Sequence, residues 1–573
     1  MHAIDRRIGL LFGAFLLLLA VASVRAADLG LFQGGTLQKF AARQEIDKKV
    51  IPAVRGVITD RTGQVLALSE SADEVIANPY LIANPRTAAA RLAPLLGMTT
   101  PKVLAGLTKP NSGYVPLAYD VPSSNATKVM QMHINGIGDT PVEQRIYPLG
   151  DTASQVLGWV GSNGVGASGV EYVLNHKLKG ASGVTRIVED GNQQAIGVDE
   201  TKPMQPGDKI ALTLSVPLQQ EVEKVLAETV ATYPGTAATA IVTDPQTGQI
   251  LADANWPFAN SNDILATRAA NTVDQSVQLS YEPGSTFKAI TVAAGLMDGT
   301  ITPGTMIDEP SCLPVPYTGT CIQDAEAHGD IDYSVAQVLK FSSNIGADLI
   351  AQRDGPENGA IRLDYWIRKF GFGQPTGVAL NGESQGVVPA LSSYSGDTMY
   401  NLPFGQGLEV TPMQMVQFYD AIADGGVLRT PQIIYSVNGK ATAEPAGTRV
   451  MSPEVAGEMR NMMRGVLADG GTASDAQIPG YDLAGKTGTA QVVVNGKYSD
   501  SLYSASFLGM VPASHPKLLV AVVDYKVSNG YGGTVAGQAF QKIVGWAVPH
   551  FGINPCPGKC PASAYAPPTA STP

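Results

Sequence analysis

Two side chains in the stretch "YEPGSTFKAITVAAGL", residues 281–296, have the types and spacing for joint covalent chemistry. Pro283 and Gly284 make a turn that feeds an apolar, helix-like run, with Ser285 at its start and Lys288 one helical turn later. At positions i and i+3 of a helix the two are neighbours. A serine hydroxyl is a poor nucleophile until a base removes its proton. Lysine serves as that base only when neutral, so its pKa has to be lowered by burial or by a second cation. An apolar helix supplies the burial, and its N-terminus adds N–H groups and a positive dipole end suited to an oxyanion. Taken alone, S-x-x-K is also the spacing of an ordinary cap and a lysine whose stem lies along the surface. It recurs at Ser514–Lys517, where Pro516 and flanking strand-like runs mark a loop.

Two further elements single out the first copy. "KFSSNIGADLI" places Ser342, Ser343 and Asn344 at the start of another amphipathic run, and "LAGKTGTAQVVV" places Lys486, Thr487, Gly488 and Thr489 at the entry to a strand-like run. S-x-N also occurs at Ser123–Asn125 and Ser436–Asn438, but only the 342–344 copy lies between the S-x-x-K and the K-T-G. That trio, in that order, is the signature of serine acyl-enzymes that recognise penicillin. On these residues the chain resembles a class B penicillin-binding protein, a monofunctional peptidoglycan D,D-transpeptidase of the septal, cell-division type. The likeness extends to "RGVITDRTGQVLA" (55–67), "RIYPLG" (145–150) and "GASGVEYVLNHKLKG" (166–180) in a first module, and to "TDPQTGQILA" and "FGQGLEVTPMQM" (404–415) in a second. No glycosyltransferase-like segment precedes the first module, unlike the bifunctional class A type.

The resemblance implies a role for each residue. Ser285 would attack the carbonyl between the two terminal D-alanines of a stem peptide, and Lys288 would take its proton. Ser342 would relay a proton to the leaving D-alanine, and Asn344 would hold Lys288 and the substrate amide. Lys486 would help keep Lys288 neutral. With Thr487, Gly488 and Thr489 it would also bind the terminal carboxylate, whose charge a bare apolar cleft could not accept. The backbone N–H groups of Ser285 and Thr489 would form the oxyanion hole. An amine of a neighbouring stem peptide would then resolve the acyl-enzyme. The same resemblance implies covalent reaction with β-lactams, no metal and no cofactor, and pairing with a membrane glycan polymerase and divisome proteins. Elongation-type transpeptidase, D,D-carboxypeptidase and inactive cell-wall scaffold are the alternatives. Gln538 stands where much of the family has proline, which bears on packing.

These residues need a scaffold. The resemblance implies an α/β (α+β) transpeptidase fold, a mixed sheet flanked by helices, preceded by a β-rich pedestal. Patterning agrees: "TAATAIVTDPQTGQILADAN" reads as a hairpin, "YSASFLGMVP" and "KLLVAVVDYK" as strands, and the 532–551 stretch as a terminal helix. Strands, helices, then strands again suggest one sheet assembled from distant segments. In "LTLSVPLQQEVEKVLAETV", Ser215 is the expected N-cap of a helix with one apolar stripe. The expected divisions are 1–7 cytoplasmic, 8–27 membrane anchor, 28–50 linker, 51–206 pedestal, 207–552 transpeptidase domain and 553–573 disordered tail.

Arg6 and Arg7 precede an uncharged run from Ile8 to Val24. This predicts a single-pass anchor in the cytoplasmic membrane, with a cytoplasmic N-terminus and an extracytoplasmic catalytic domain. Val24-Arg25-Ala26 offers the rival reading of a cleaved signal peptide. The four cysteines form two local pairs, Cys312 with Cys321 and Cys556 with Cys560. Each pair could close a small loop in an oxidising space, and free thiols are the alternative. Of 573 residues, 44% are hydrophobic and 16% charged, which is a globular balance, and a formal charge of −11 argues against a nucleic-acid partner.

Overall fold

The computed structural model describes residues 2–32, 46–161, 163–189, 195–316, 318–528 and 530–565. Among the described residues one helix, His2–Ala27, is long and apolar enough to cross a membrane. It begins before the expected anchor at residue 8. Part of the expected linker, 33–45, lies outside the described residues.

Contacts divide the chain into two units, one of 1–54, 71–143 and 180–207, the other of 55–70, 144–179 and 208 onward. The first unit has an antiparallel three-stranded sheet of Ile46–Ile51, Gly183–Glu189 and Ala195–Lys202. It also has an apolar core in which Val75, Leu92, Val103, Leu107 and Val115 are buried.

The second unit carries the chemistry. Its frame is a five-stranded antiparallel sheet in the order Gln249–Trp256, Ala237–Asp244, Leu518–Val527, Lys497–Val511, Ala484–Val494. Because successive side chains of a strand point to opposite faces, each strand feeds two cores. Val520 and Val522 join the core beneath the Val216–Thr232 and Ala536–His550 helices, while Leu519, Ala521 and Val523 join the core holding the Lys288–Met297 and Pro412–Ala423 helices. The K-T-G strand, Ala484–Val494, lies at one edge of this sheet.

In the same unit Ile58–Thr59 pairs parallel to Ile210–Ala211. Beside it the three quoted motifs of the first module meet. The guanidinium groups of Arg55 and Arg145 each approach the Glu171 carboxylate to 2.7 Å, and all three side chains are buried. Two cations on one acid compensate the desolvation that either would suffer alone.

The fold departs from expectation in three further places. Ser215 occupies the N-cap of Val216–Thr232 without a capping bond from its side chain, and Asp60 Oδ2 instead accepts from the Val216 N–H at 3.1 Å. The stretch between the hairpin and the later strands, read from sequence as helices, also contains two short ribbons, Met306–Glu309 with Ile331–Ser334 and Leu313–Pro314 with Cys321–Ile322. The tail, expected to be disordered from 553, is packed as far as Tyr565: Ile553 is buried and the Ala564 N–H donates to Asn461 Oδ1 at 2.9 Å. Residues 566–573 lie outside the described residues.

Candidate active site

Ser285 sits in a 3-10 turn, Gly284–Phe287, and Lys288 opens the α-helix Lys288–Met297 by donating its backbone N–H to the Ser285 carbonyl. In a 3-10 turn residues i and i+3 eclipse, so the two side chains share a face. Gly284 has φ +54, and a Cβ there would lie 3.0 Å from Ala490 Cβ and 3.1 Å from the Thr489 carbonyl. A Cβ at Gly488 would lie 2.9 Å from the Pro283 carbonyl and 2.3 Å from Ser506 Oγ. The two glycines therefore let the nucleophile turn and the K-T-G strand touch backbone to backbone.

Ser342 ends the Val335–Phe341 helix in the left-handed conformation, φ 64, before the Asn344–Ala351 helix begins. A left-handed serine is a strained choice that surrounding contacts must hold. Here Lys288 Nζ donates to the Ser342 carbonyl and, at 3.2 Å, to its hydroxyl. Lys486 Nζ donates to the same hydroxyl at 2.9 Å and to the Thr487 carbonyl at 3.1 Å. One hydroxyl thus bridges two amines. Thr487 Oγ1 lies 2.8 Å from Thr472 Oγ1, and Thr489 Oγ1 accepts from the Gly532 N–H at 3.0 Å. The Ser285 side chain is half-buried, and no hydrogen bond holds its hydroxyl among the described residues.

Both lysines are fully shut off from water. Burial lowers the Lys288 pKa to about 8, against the opposing pull of Asp324, Asp348 and Glu309. Burial, then the charge of Lys288, pushes Lys486 well below the usual lysine range. Two ammonium groups in one dry site cannot both stay charged cheaply, so one proton too few for two amines is the favoured state.

Ser285, Lys288, Ser342, Lys486, Thr487, Gly488 and Thr489 gather as expected on the facing turn, helix end and strand. Asn344 does not reach Lys288: its carboxamide donates to the Gln323 carbonyl at 2.9 Å. The cysteines are paired as Cys312–Cys321 and Cys556–Cys560. The S-x-x-K copy at 514–517 is a loop between strands, and the S-x-N copies at 123–125 and 436–438 lie in a helix and at a strand end.

An acidic group beside Lys288 was not anticipated. Glu309 accepts from Ser343 Oγ at 2.7 Å, and burial raises its carboxyl to about 7. Asp348 is buried with neither carboxyl oxygen hydrogen-bonded among the described residues, and burial raises it well above the usual range. Ligand-type atoms of Glu309, Asp324 and His328 lie within 4.8 Å of one another. Asp324 Oδ1 and His328 Nδ1 are already engaged, with the Asn344 and Ile345 N–H groups and with the Gly329 carbonyl respectively. The lone acid of the apolar run "NIGADLI" was visible in the sequence; the approach of Asp324 to residue 344 was not.

Residues 238–545 match the profile of the penicillin-binding protein transpeptidase domain, and residues 50–212 match the penicillin-binding protein dimerisation domain. Penicillin-binding protein PbpB of Mycolicibacterium smegmatis is 30% identical over 95% of this chain and 90% of its own. Stage V sporulation protein D of Bacillus subtilis is 31% identical over 87% of this chain and 79% of its own. The crystal structure of penicillin-binding protein 3 from Mycobacterium tuberculosis, complexed with aztreonam, superposes with a TM-score of 0.67 at 28% identity, covering 89% of this chain and 98% of that one. With the S-x-x-K lysine and the K-T-G lysine both donating to the hydroxyl of the S-x-N serine, the chain belongs to the class B penicillin-binding proteins.

Proposed function

We propose that this peptidoglycan D,D-transpeptidase cross-links stem peptides through an acyl-enzyme on Ser285, at the division septum, and that β-lactams acylate the same oxygen. The observation that carries the reading is the Ser342 hydroxyl held between Lys288 Nζ at 3.2 Å and Lys486 Nζ at 2.9 Å. When a peptide ending in D-Ala-D-Ala binds, its carboxylate meets Lys486, Thr487 and Thr489. That negative charge keeps the proton on Lys486 and leaves Lys288 neutral.

Ser285 Oγ then bonds to the carbonyl carbon while its proton passes to Lys288 Nζ. The backbone N–H groups of Ser285 and Thr489 take the oxyanion. As the C–N bond breaks, the leaving amine receives that proton from Lys288 through the Ser342 hydroxyl. The acceptor amine reverses the sequence: it attacks the acyl carbon, gives its proton back through Lys288, and frees Ser285. Its product is a new amide. Asn344 orients the peptide amide once its carboxamide leaves Gln323.

The His2–Ala27 helix is the single-pass anchor, with Arg6 and Arg7 on the cytoplasmic side and the catalytic unit outside. The anchor and first module face a membrane glycan polymerase and other division proteins. Purified full-length protein, supplied with a donor peptide and an amine acceptor, is expected to form the cross-linked product and release D-alanine. Release of D-alanine with no dimer would make the protein a carboxypeptidase. A fluorescent fusion is expected at midcell, and signal along the side wall alone contradicts the septal role.

A further inference from the structure

The stretch from Glu309 to Asp330 leaves the scaffold and returns to grip the two residues after Ser342. A helix leaves its first N–H groups unpaired, and the residue before it usually supplies the cap. In the Asn344–Ala351 helix Ser343 covers only the Gly346 N–H, at 2.8 Å. The Asn344 and Ile345 N–H groups donate instead to Asp324 Oδ1, at 2.6 and 3.1 Å. A carboxylate at a helix N-terminus also gains from the dipole. On the same segment the Gln323 carbonyl holds the Asn344 carboxamide at 2.9 Å, and Glu309 Oε2 accepts from Ser343 at 2.7 Å.

Asp324 is itself held. His328 Nε2 lies 3.2 Å from its Oδ2. Just before it, the Cys312–Cys321 disulfide ties the two arms of the Leu313–Pro314 and Cys321–Ile322 ribbon.

We propose that Asp324 is a positioning residue for acylation: it fixes the first turn of the Asn344–Ala351 helix, and so holds the left-handed Ser342 between Lys288 and Lys486, while the Cys312–Cys321 disulfide holds Asp324. This rests on Ser285 as nucleophile and Ser342 as relay. Asp324 also acts through charge. Lys288 is faced by Glu309 from the strand before the ribbon, Asp324 from the loop, Asp348 from the helix and Lys486 from the sheet edge. Among the charges opposing burial, Asp324 contributes most to keeping Lys288 protonated.

The test is the rate of acylation by a fluorescent penicillin against pH, using detergent-purified full-length protein. Asp324→Ala, and Cys312→Ser with Cys321→Ser, are expected to react about tenfold more slowly, the loss a missing cap causes. Asp324→Asn keeps an oxygen for both N–H groups. It is expected to stay within about threefold of wild type at high pH, with its acid limb moved to lower pH because the charge beside Lys288 is gone. A role in stability alone would lower the melting temperature and leave that limb in place. Wild-type rates for Asp324→Ala, an unmoved limb for Asp324→Asn, or four reactive thiols in non-reduced protein overturn the proposal. If Asp324→Ala fails to fold, the Asp324→Asn limb decides. If wild type is not labelled at Ser285, the nucleophile assignment fails instead.

Discussion

Lys288 and Lys486 both reach the Ser342 hydroxyl and both lack water, so their protonation governs when the site can act. With Lys288 titrating at about 8, the base is mostly charged at neutral pH and becomes competent as pH rises. Acylation by penicillin should therefore climb roughly tenfold per pH unit up to about 8 and level off above it. A rate flat between pH 6 and pH 9 contradicts Lys288 as base. The nucleophile and base were legible because their pairing is local: three residues apart on one turn, in a run too apolar for an idle ammonium. The clamp on Asn344 was not, since Gln323 and Asp324 meet it only through tertiary folding and carry no spacing pattern.

Secondary-structure elements deliver these residues to one place, and their close approaches are testable. Gly488→Ala would drive a methyl against the Pro283 carbonyl and Ser506 Oγ, parting the K-T-G strand from the nucleophile turn. We expect acylation to fall at least about fivefold, by the ~1–3 kcal/mol of an overpacked contact, while the protein stays folded by circular dichroism. Farther from the chemistry, Glu171→Ala would leave the Arg55 and Arg145 guanidinium groups buried without their shared anion. A loss of about 3–5 kcal/mol is expected, read as a lowered melting temperature. The long strands and amphipathic helices were legible from period-two and helical patterning. The ribbons at 306–334 were not, because strands of two to four residues are too short to show a period.

Across the whole molecule, burial raises several carboxyl groups toward neutrality: Glu223, Glu309 and Asp524 each titrate at about 7. Folded pKa values above those of the unfolded chain mean that the native state binds more protons in this window. Stability is therefore present near pH 5 and is lost as pH rises through about 7. Raised His328 acts in the same direction, whereas the lowered lysines act against it, Lys288 only as pH rises through about 8. The melting temperature of the full-length protein should fall by at least ~2 °C between pH 5 and pH 7.5, and a rise over that range contradicts the burial of these acids.

All of this depends on Ser285 being the oxygen that two dry lysines and Ser342 were assembled to serve. Peptide mapping by mass spectrometry after treating the intact, folded protein with penicillin tests that most directly. The predicted result is one penicilloyl group on Ser285, absent from Ser285→Ala. Unmodified protein, or an adduct on another residue, would contradict the account.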